Sequence, residues 1–253
     1  MKITGYLLAI LFFWATSAAA SPSLLYVSKS GNDKNDCASL STPCLTIQAA
    51  VDKVPFGSEA DISVGPGVYA EAVNVYYWRA ITIHGPALCS EADASTVVVG
   101  LPGGTAITSQ DHAIVGVSCL TVRGATGLFS RQLAILDYFS VRFLANTAVS
   151  LNSNSIASCS EIIWVRSGGT SVFLATSGSV LNVSCNVQVS DGLSFTAFII
   201  VGDRAIGNLG GAAVVASING QQWIVSNGTL QTPASPYVIP GSGTTELSGA
   251  VVY

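Results

Sequence analysis

The residues of this chain that can do chemistry are few: 14 Asp plus Glu, 10 Lys plus Arg, 6 Cys, and two histidines, His84 and His112. Acid/base catalysis needs ionisable groups within a few ångströms of each other, in environments that pull their pKa values apart. One set of polar residues recurs at equal spacing. Gln110-Asp111, Arg131-Gln132 and Asn152-Ser153 follow one another at intervals of 21 residues. If those segments lie side by side, Gln110, Arg131 and Asn152 share one column and Asp111, Gln132 and Ser153 the next. Asp111 and Arg131 then meet diagonally across one step. Such a set reads either as a surface ion pair worth at most about 1 kcal/mol, or as a shallow groove whose Gln, Asn and Arg bind sugar hydroxyls.

Other catalytic sets are poorly supported. Glycoside hydrolysis asks for two carboxylates roughly 5–10 Å apart, and Asp137 and Glu161 fall on opposite sides of a strand alignment. A Ser-His-Asp triad around His84 or His112 lacks a GxSxG turn. Trp78, in VYYWRA, and Trp223, in NGQQWIV, have turn-like neighbours and are candidate stacking platforms for sugar rings, whereas Trp164 falls in an inward column. No CxxC accompanies the two histidines, so no metal and no cofactor are expected.

The elements that must position these residues follow from a repeat. ITSQDHAIVG from Ile107, LFSRQLAILD from Leu128 and VSLNSNSIAS from Val149 superimpose without gaps at a shift of 21 residues. In the same register Leu120, Val141 and Ile162 form one apolar column, and Val122, Phe143 and Trp164 another. Thr121, Arg142 and Ile163 lie between them. A fourth unit from Val172 continues after an insertion of two or three residues, and a fifth starts at Phe195. Alternation within a unit and like-with-like matching between units is the pattern of stacked strands. A fixed period of this size means a solenoid. The expected fold is all-β, a single-stranded right-handed parallel β-helix over residues 59–230. It would have about eight coils and form a rod near 38 Å long at 4.8 Å per coil. A transmembrane β-barrel and a β-sandwich leave the 21-residue period unexplained.

Composition agrees. Charged residues make up 9% of the chain and hydrophobic ones 49%, with a mean hydropathy of +0.54 and pI near 5.0. That excludes a disordered chain and lacks the basic footprint of a nucleic-acid binder. Residues 1–20 pair Lys2 with an apolar run and end in small residues, which reads as a secretory signal cleaved after Ala20. The expected location is therefore secreted, periplasmic or cell-surface, with no membrane span after cleavage. Export permits disulfides. Cys37 and Cys44 are expected to pair across DCASLSTPC. For Cys89, Cys119, Cys159 and Cys185, neighbour order suggests Cys89–Cys119 and Cys159–Cys185 while other pairings stay open. Asn182 and Asn227 head N-x-[ST] sequons, which are glycan acceptors only in a eukaryotic secretory route.

A solenoid end exposes its core and needs a cap. Within an N-terminal loop and cap spanning 21–58, TIQAAVDKVP places Ile47, Ala50, Val51 and Val54 on one helical face, with Thr46 as N-cap and Pro55 at the end. Residues 231–253 lose the repeat and read as a C-terminal cap or edge segment. The run from Tyr26 through DISVGPGVYAEAVNV resembles the opening of secreted β-helix proteins of the pectin-lyase-like superfamily. Its GxYxE element (Gly67, Tyr69, Glu71) is most similar to that of pectin methylesterases, and the coils from Ala106 onward resemble uncharacterised bacterial β-helix proteins. The resemblance implies the fold. It implies chemistry only if the methylesterase motifs are present, and they are not: Gln110-Asp111 is followed by His112 where QDT is expected, and DFxFG and GRxW are absent. The expectation is a non-catalytic protein that binds polysaccharide or builds a surface. The alternatives are a carbohydrate-active enzyme with a rearranged site and a homotrimeric, tailspike-like appendage.

Overall fold

The computed structural model describes residues 21–87, 89–210, 214–215, 219–232, 244–246 and 249–252. The proposed signal segment, 1–20, lies outside the described residues. The chain is a parallel β-solenoid of about seven turns, one fewer than the sequence spacing suggests. Its strands form three parallel stacks. The first runs through Ser23–Val27, Glu59–Val64, Ala80–His84 and Ile114–Ser118, continues into the start of Ile135–Leu151 and Ile156–Val165, and ends at Thr229–Gln231 and Val251–Val252.

Each strand belongs where it is because alternate residues are apolar. In Glu59–Val64, Ala60, Ile62 and Val64 are buried while Glu59, Asp61 and Ser63 face outward. Stacking turns this alternation into continuous columns. Ile62, Ile83, Val117 and Tyr138 are successive partners inside the rod, all nearly fully buried. The 21-residue step holds from Ile114 to Ile135 to Ile156. The expected insertion in the next unit is three residues, since Ile156 pairs with Val180, and the step lengthens again to Ile206.

One column needs correction. Leu120 and Val141 are followed by Ile163, because the register shifts after Phe139. Glu161, at φ +60°, still occupies the corner that Cys119 and Ser140 turn with the same sign of φ, so Ile162 is the extra residue. Val165 therefore takes the core place beneath Phe143, and Trp164 stacks on Arg142. Trp164 is buried, yet it does not belong to the central core.

The cap accounts for the GxYxE element. The helix Ile47–Lys53 buries Ile47, Ala50 and Val51 over the first turn, and the Thr46 side chain accepts from Ala49 N. Glu71 accepts from the otherwise unpartnered Ile47 and Gln48 amides at 3.0 and 2.9 Å. The Tyr69 hydroxyl donates to Gly65 O at 2.9 Å, and burial pushes its pKa up to about 12. Gly67 lies at φ +149°, where a Cβ would sit 2.4 Å from Lys29 Cγ. All three residues of the motif are thus occupied in building the cap.

Three disulfides brace the rod, with Cα separations of 5.0 Å for Cys37–Cys44, 5.2 Å for Cys89–Cys119 and 5.4 Å for Cys159–Cys185. The second holds an excursion that carries the short helix Glu91–Ala94. Glu91 accepts from Arg166 Nε and Nη2 at 2.5 and 2.6 Å, and from Arg142 Nε at 3.3 Å. These hydrogen bonds, led by Arg166, hold the Glu91 carboxyl below its ordinary pKa.

Candidate functional site: a ridge of left-handed turns

One corner of the solenoid is built the same way on six successive turns. Tyr77-Trp78, Asp111-His112, Gln132-Leu133, Ser153-Asn154, Ser177-Gly178 and Asp203-Arg204 are all pairs of consecutive residues at φ between +49° and +74°, and Asn227 follows at +50°. Each second residue donates its N–H to the carbonyl of the first residue on the next turn. The rungs run Trp78 to Asp111, His112 to Gln132, Leu133 to Ser153, Asn154 to Ser177, Gly178 to Asp203 and Arg204 to Asn227, most of them 2.8–3.4 Å long. These rungs tie the corner of each turn to the next, and its side chains form a ridge along the rod.

Asn, Asp and Gly enter the left-handed region cheaply, whereas bulky side chains there lose about 1–2 kcal/mol per residue. Tyr77, Trp78 and Leu133 are therefore costly choices. Burial does not offset the loss, since they are 53%, 66% and 53% exposed. Strain held at exposed apolar residues points to use rather than folding.

The aromatic end of the ridge is a cluster. Phe56, 68% exposed, meets Tyr77 edge-on at 5.8 Å, and Tyr76 lies 5.9 Å from Tyr77. Arg79 supports Phe56 from below, its guanidinium 4.5 Å from the ring centroid and its Nε bonded to Val54 O. The Trp78 ring stacks on His112 at 4.3 Å and an interplanar angle of 6°.

Beside it lies the polar set expected from the sequence, with one change. Arg131 does not pair with Asp111. Its Nε and Nη2 both donate to Gln110 Oε1, at 2.8 and 2.5 Å, while Gln110 Nε2 donates to Asp111 Oδ2 at 3.1 Å. Gln110 is buried and links the two charges, because its amide satisfies both at once. The Arg131 guanidinium also lies 5.7 Å from the Phe129 ring centroid. Gln132 is exposed at the next turn. Asn152, two turns from Gln110, accepts from the Ser153 hydroxyl through Oδ1 at 2.7 Å. Further along, Ser153, Asn154, Ser177, Asp203, Arg204 and Asn227 line an open polar groove. Gly178 follows Ser177 in that corner, and a Cβ there would lie 2.3 Å from Asn154 Oδ1.

Trp223 is elsewhere. Its expected turn is the strand Asn219–Ser226, on which it stacks upon Ile199 and packs half-buried against the core with Nε1 enclosed. The sequence reading missed Phe56, Tyr76, Tyr77, Leu133 and the groove from Asn154 to Asn227. Their signal was the continuation of the Asp111 and Gln132 columns in both directions, hidden by the longer later units.

A second cleft, about 380 Å³, opens on the first strand stack over Gly116, with Asp61, Thr82, Asp137, Ile114 and Phe139 around it. Desolvation raises the pKa of Asp137, and Asp61 pairs with His84 at 3.2 Å. Asp61, Thr82, Gly116 and Asp137 are successive partners. The two carboxylates are thus three strand spacings apart, about 14 Å, beyond the reach of a paired-carboxylate mechanism. Among the described residues no helix is long and apolar enough to cross a membrane. Comparison of the chain with family models, curated proteins and solved structures gave no match.

Proposed function

We propose that this protein is an exported, non-catalytic polysaccharide-binding protein and that the ridge of left-handed turns is its binding surface. The observation that carries this reading is Trp78. It is a large aromatic ring, two-thirds exposed, backed by His112 on one face, and held in a backbone conformation that opposes folding. A flat ring presented this way, with hydroxyl, amide and guanidinium groups following along the same line, suits the apolar face and hydroxyl rim of a sugar ring. Three disulfides fit an extracellular setting. The resemblance to pectin-lyase-like proteins agrees with a glycan partner, and the use of Gly67, Tyr69 and Glu71 in the cap removes any need for that motif to serve catalysis.

The test is retention of the purified protein on immobilised polysaccharides, with release of methanol, reducing ends and unsaturated products followed in parallel. Retention without product, lost in Trp78→Ala and kept in Trp223→Phe, is the expected result. Turnover abolished by Asp137→Asn would favour the runner-up, an enzyme acting at the Gly116 cleft, which the raised pKa of Asp137 within a cleft supports. No retention on any polysaccharide would remove the proposal.

A further inference from the structure

We infer that the ridge takes a neutral, extended glycan laid along the rod axis and held at two places about 24 Å apart (five rungs at 4.8 Å each), one at Trp78 and one at the groove around Arg204. This deepens the reading of the ridge as a glycan surface and rests on it.

The first place is shaped for stacking. Two residues before the paired Glu59 and Ala80, Gly57 occupies the position above Trp78, as Phe56 does above Tyr77. Gly57 itself lies at φ +73°, and a Cβ built there would meet nothing within 4 Å. Trp78 therefore has His112 stacked on one face, no side chain at position 57 beside it, and two-thirds of its surface exposed. The second place is shaped for hydroxyls. Ser153, Asn154, Ser177, Asp203, Arg204 and Asn227 surround a trough, and the missing side chain at Gly178 leaves room for the Asn154 amide that lines it.

Three arguments fix the class of ligand. The corner's rung amides and carbonyls are used by the backbone ladder, so recognition falls to side chains spaced one turn apart. A compact ligand would touch one place only, whereas an extended polymer parallel to the axis engages both. The charges balance as well. Asp111 is linked to Arg131 through Gln110, and Asp203 precedes Arg204 in the same turn. Arg79 is buried beneath Phe56, so the exposed side chains of the ridge carry no excess charge to recruit uronates, sulfates or amino sugars. Linking two weak contacts through one ligand multiplies their effect.

The experiment is calorimetric titration of the full protein with cello-, manno- and xylo-oligosaccharides from disaccharide to hexasaccharide, alongside oligogalacturonates and glucosamine oligomers of the same lengths. In at least one neutral series, affinity is expected to rise by about tenfold or more between trisaccharide and hexasaccharide. It should change less than about twofold between low and high salt. Asn154→Ala combined with Arg204→Ala should erase the rise while leaving trisaccharide binding intact, which also shows that the variant is folded. A charged series binding tightest, or affinity indifferent to length, would overturn the inference while leaving a glycan-binding ridge standing. Failure of every oligosaccharide and every polymer to bind would instead sink the proposed function itself.

Discussion

The two ends of the ridge share one backbone and differ in what they place on it. Tyr77-Trp78 and Gln132-Leu133 set large side chains at positive φ, while Ser177-Gly178, Asp203 and Asn227 use small or turn-forming residues in the same conformation, with Arg204 the one long side chain among them. The second choice is the one folding favours. The first makes sense only if the exposed rings matter more than the local stability they cost. The polar end thus meets the conformational demand of the corner at little cost, and the aromatic end meets it at a larger one.

That contrast can be broken or sharpened by substitution. The largest effect is expected at the aromatic end. Trp78→Ala should weaken glycan binding about thirtyfold, roughly 2 kcal/mol, with little change in melting temperature. If binding survives, the two ends do not differ in function. At the polar end, Gly178→Ala should destabilise the fold by about 1 kcal/mol in urea titration, because Ala resists φ +74° and its Cβ meets Asn154. A neutral result there would mean the corner imposes no conformational cost, and the argument from Trp78 would fall with it. Leu133→Gly should do the reverse, raising stability by about 0.5 kcal/mol, since relief of left-handed strain slightly exceeds the entropy lost with Gly.

The smallest effect concerns the excursion on another side of the rod. Glu91 has a depressed pKa in the folded chain, so its ionised form contributes stability above the ordinary carboxylate value of 4.5 and loses it as pH falls further, through the folded value. As pH falls from about 5 to about 3, amide protection around Glu91–Ala94, corrected for the intrinsic pH dependence of exchange, should drop, and this change should vanish in Glu91→Gln.

Much of the molecule could be read from spacing. The 21-residue step brought Gln110 and Arg131 together as hydrogen-bonded neighbours across one turn, and it placed Leu120 and Val141 in one buried column. The step broke just after Glu161 because one residue added at a corner leaves the apolar alternation on both sides intact and merely shifts it. No periodicity argument detects such a slip. The ridge was only half legible for a different reason. Whether Leu133 is buried or exposed depends on the sign of φ in its turn, and neither hydrophobicity nor alternation encodes that sign. Trp223 misled because Gly220 and the amides of Gln221 and Gln222 resemble a turn, although the strand they form pairs with Ser194–Gly202.

Cys159–Cys185 has a consequence for how the molecule comes apart. In a stack where each turn grips only its neighbours, unravelling proceeds inward from the ends. This disulfide rivets two consecutive turns midway along the rod, so a crack advancing from the C-terminal end halts there. Arg204 and Asn227 lie on the sacrificial side, and Trp78 and His112 on the protected one. Under pulling or partial digestion the molecule would shed its polar hold first and keep its aromatic grip to the last.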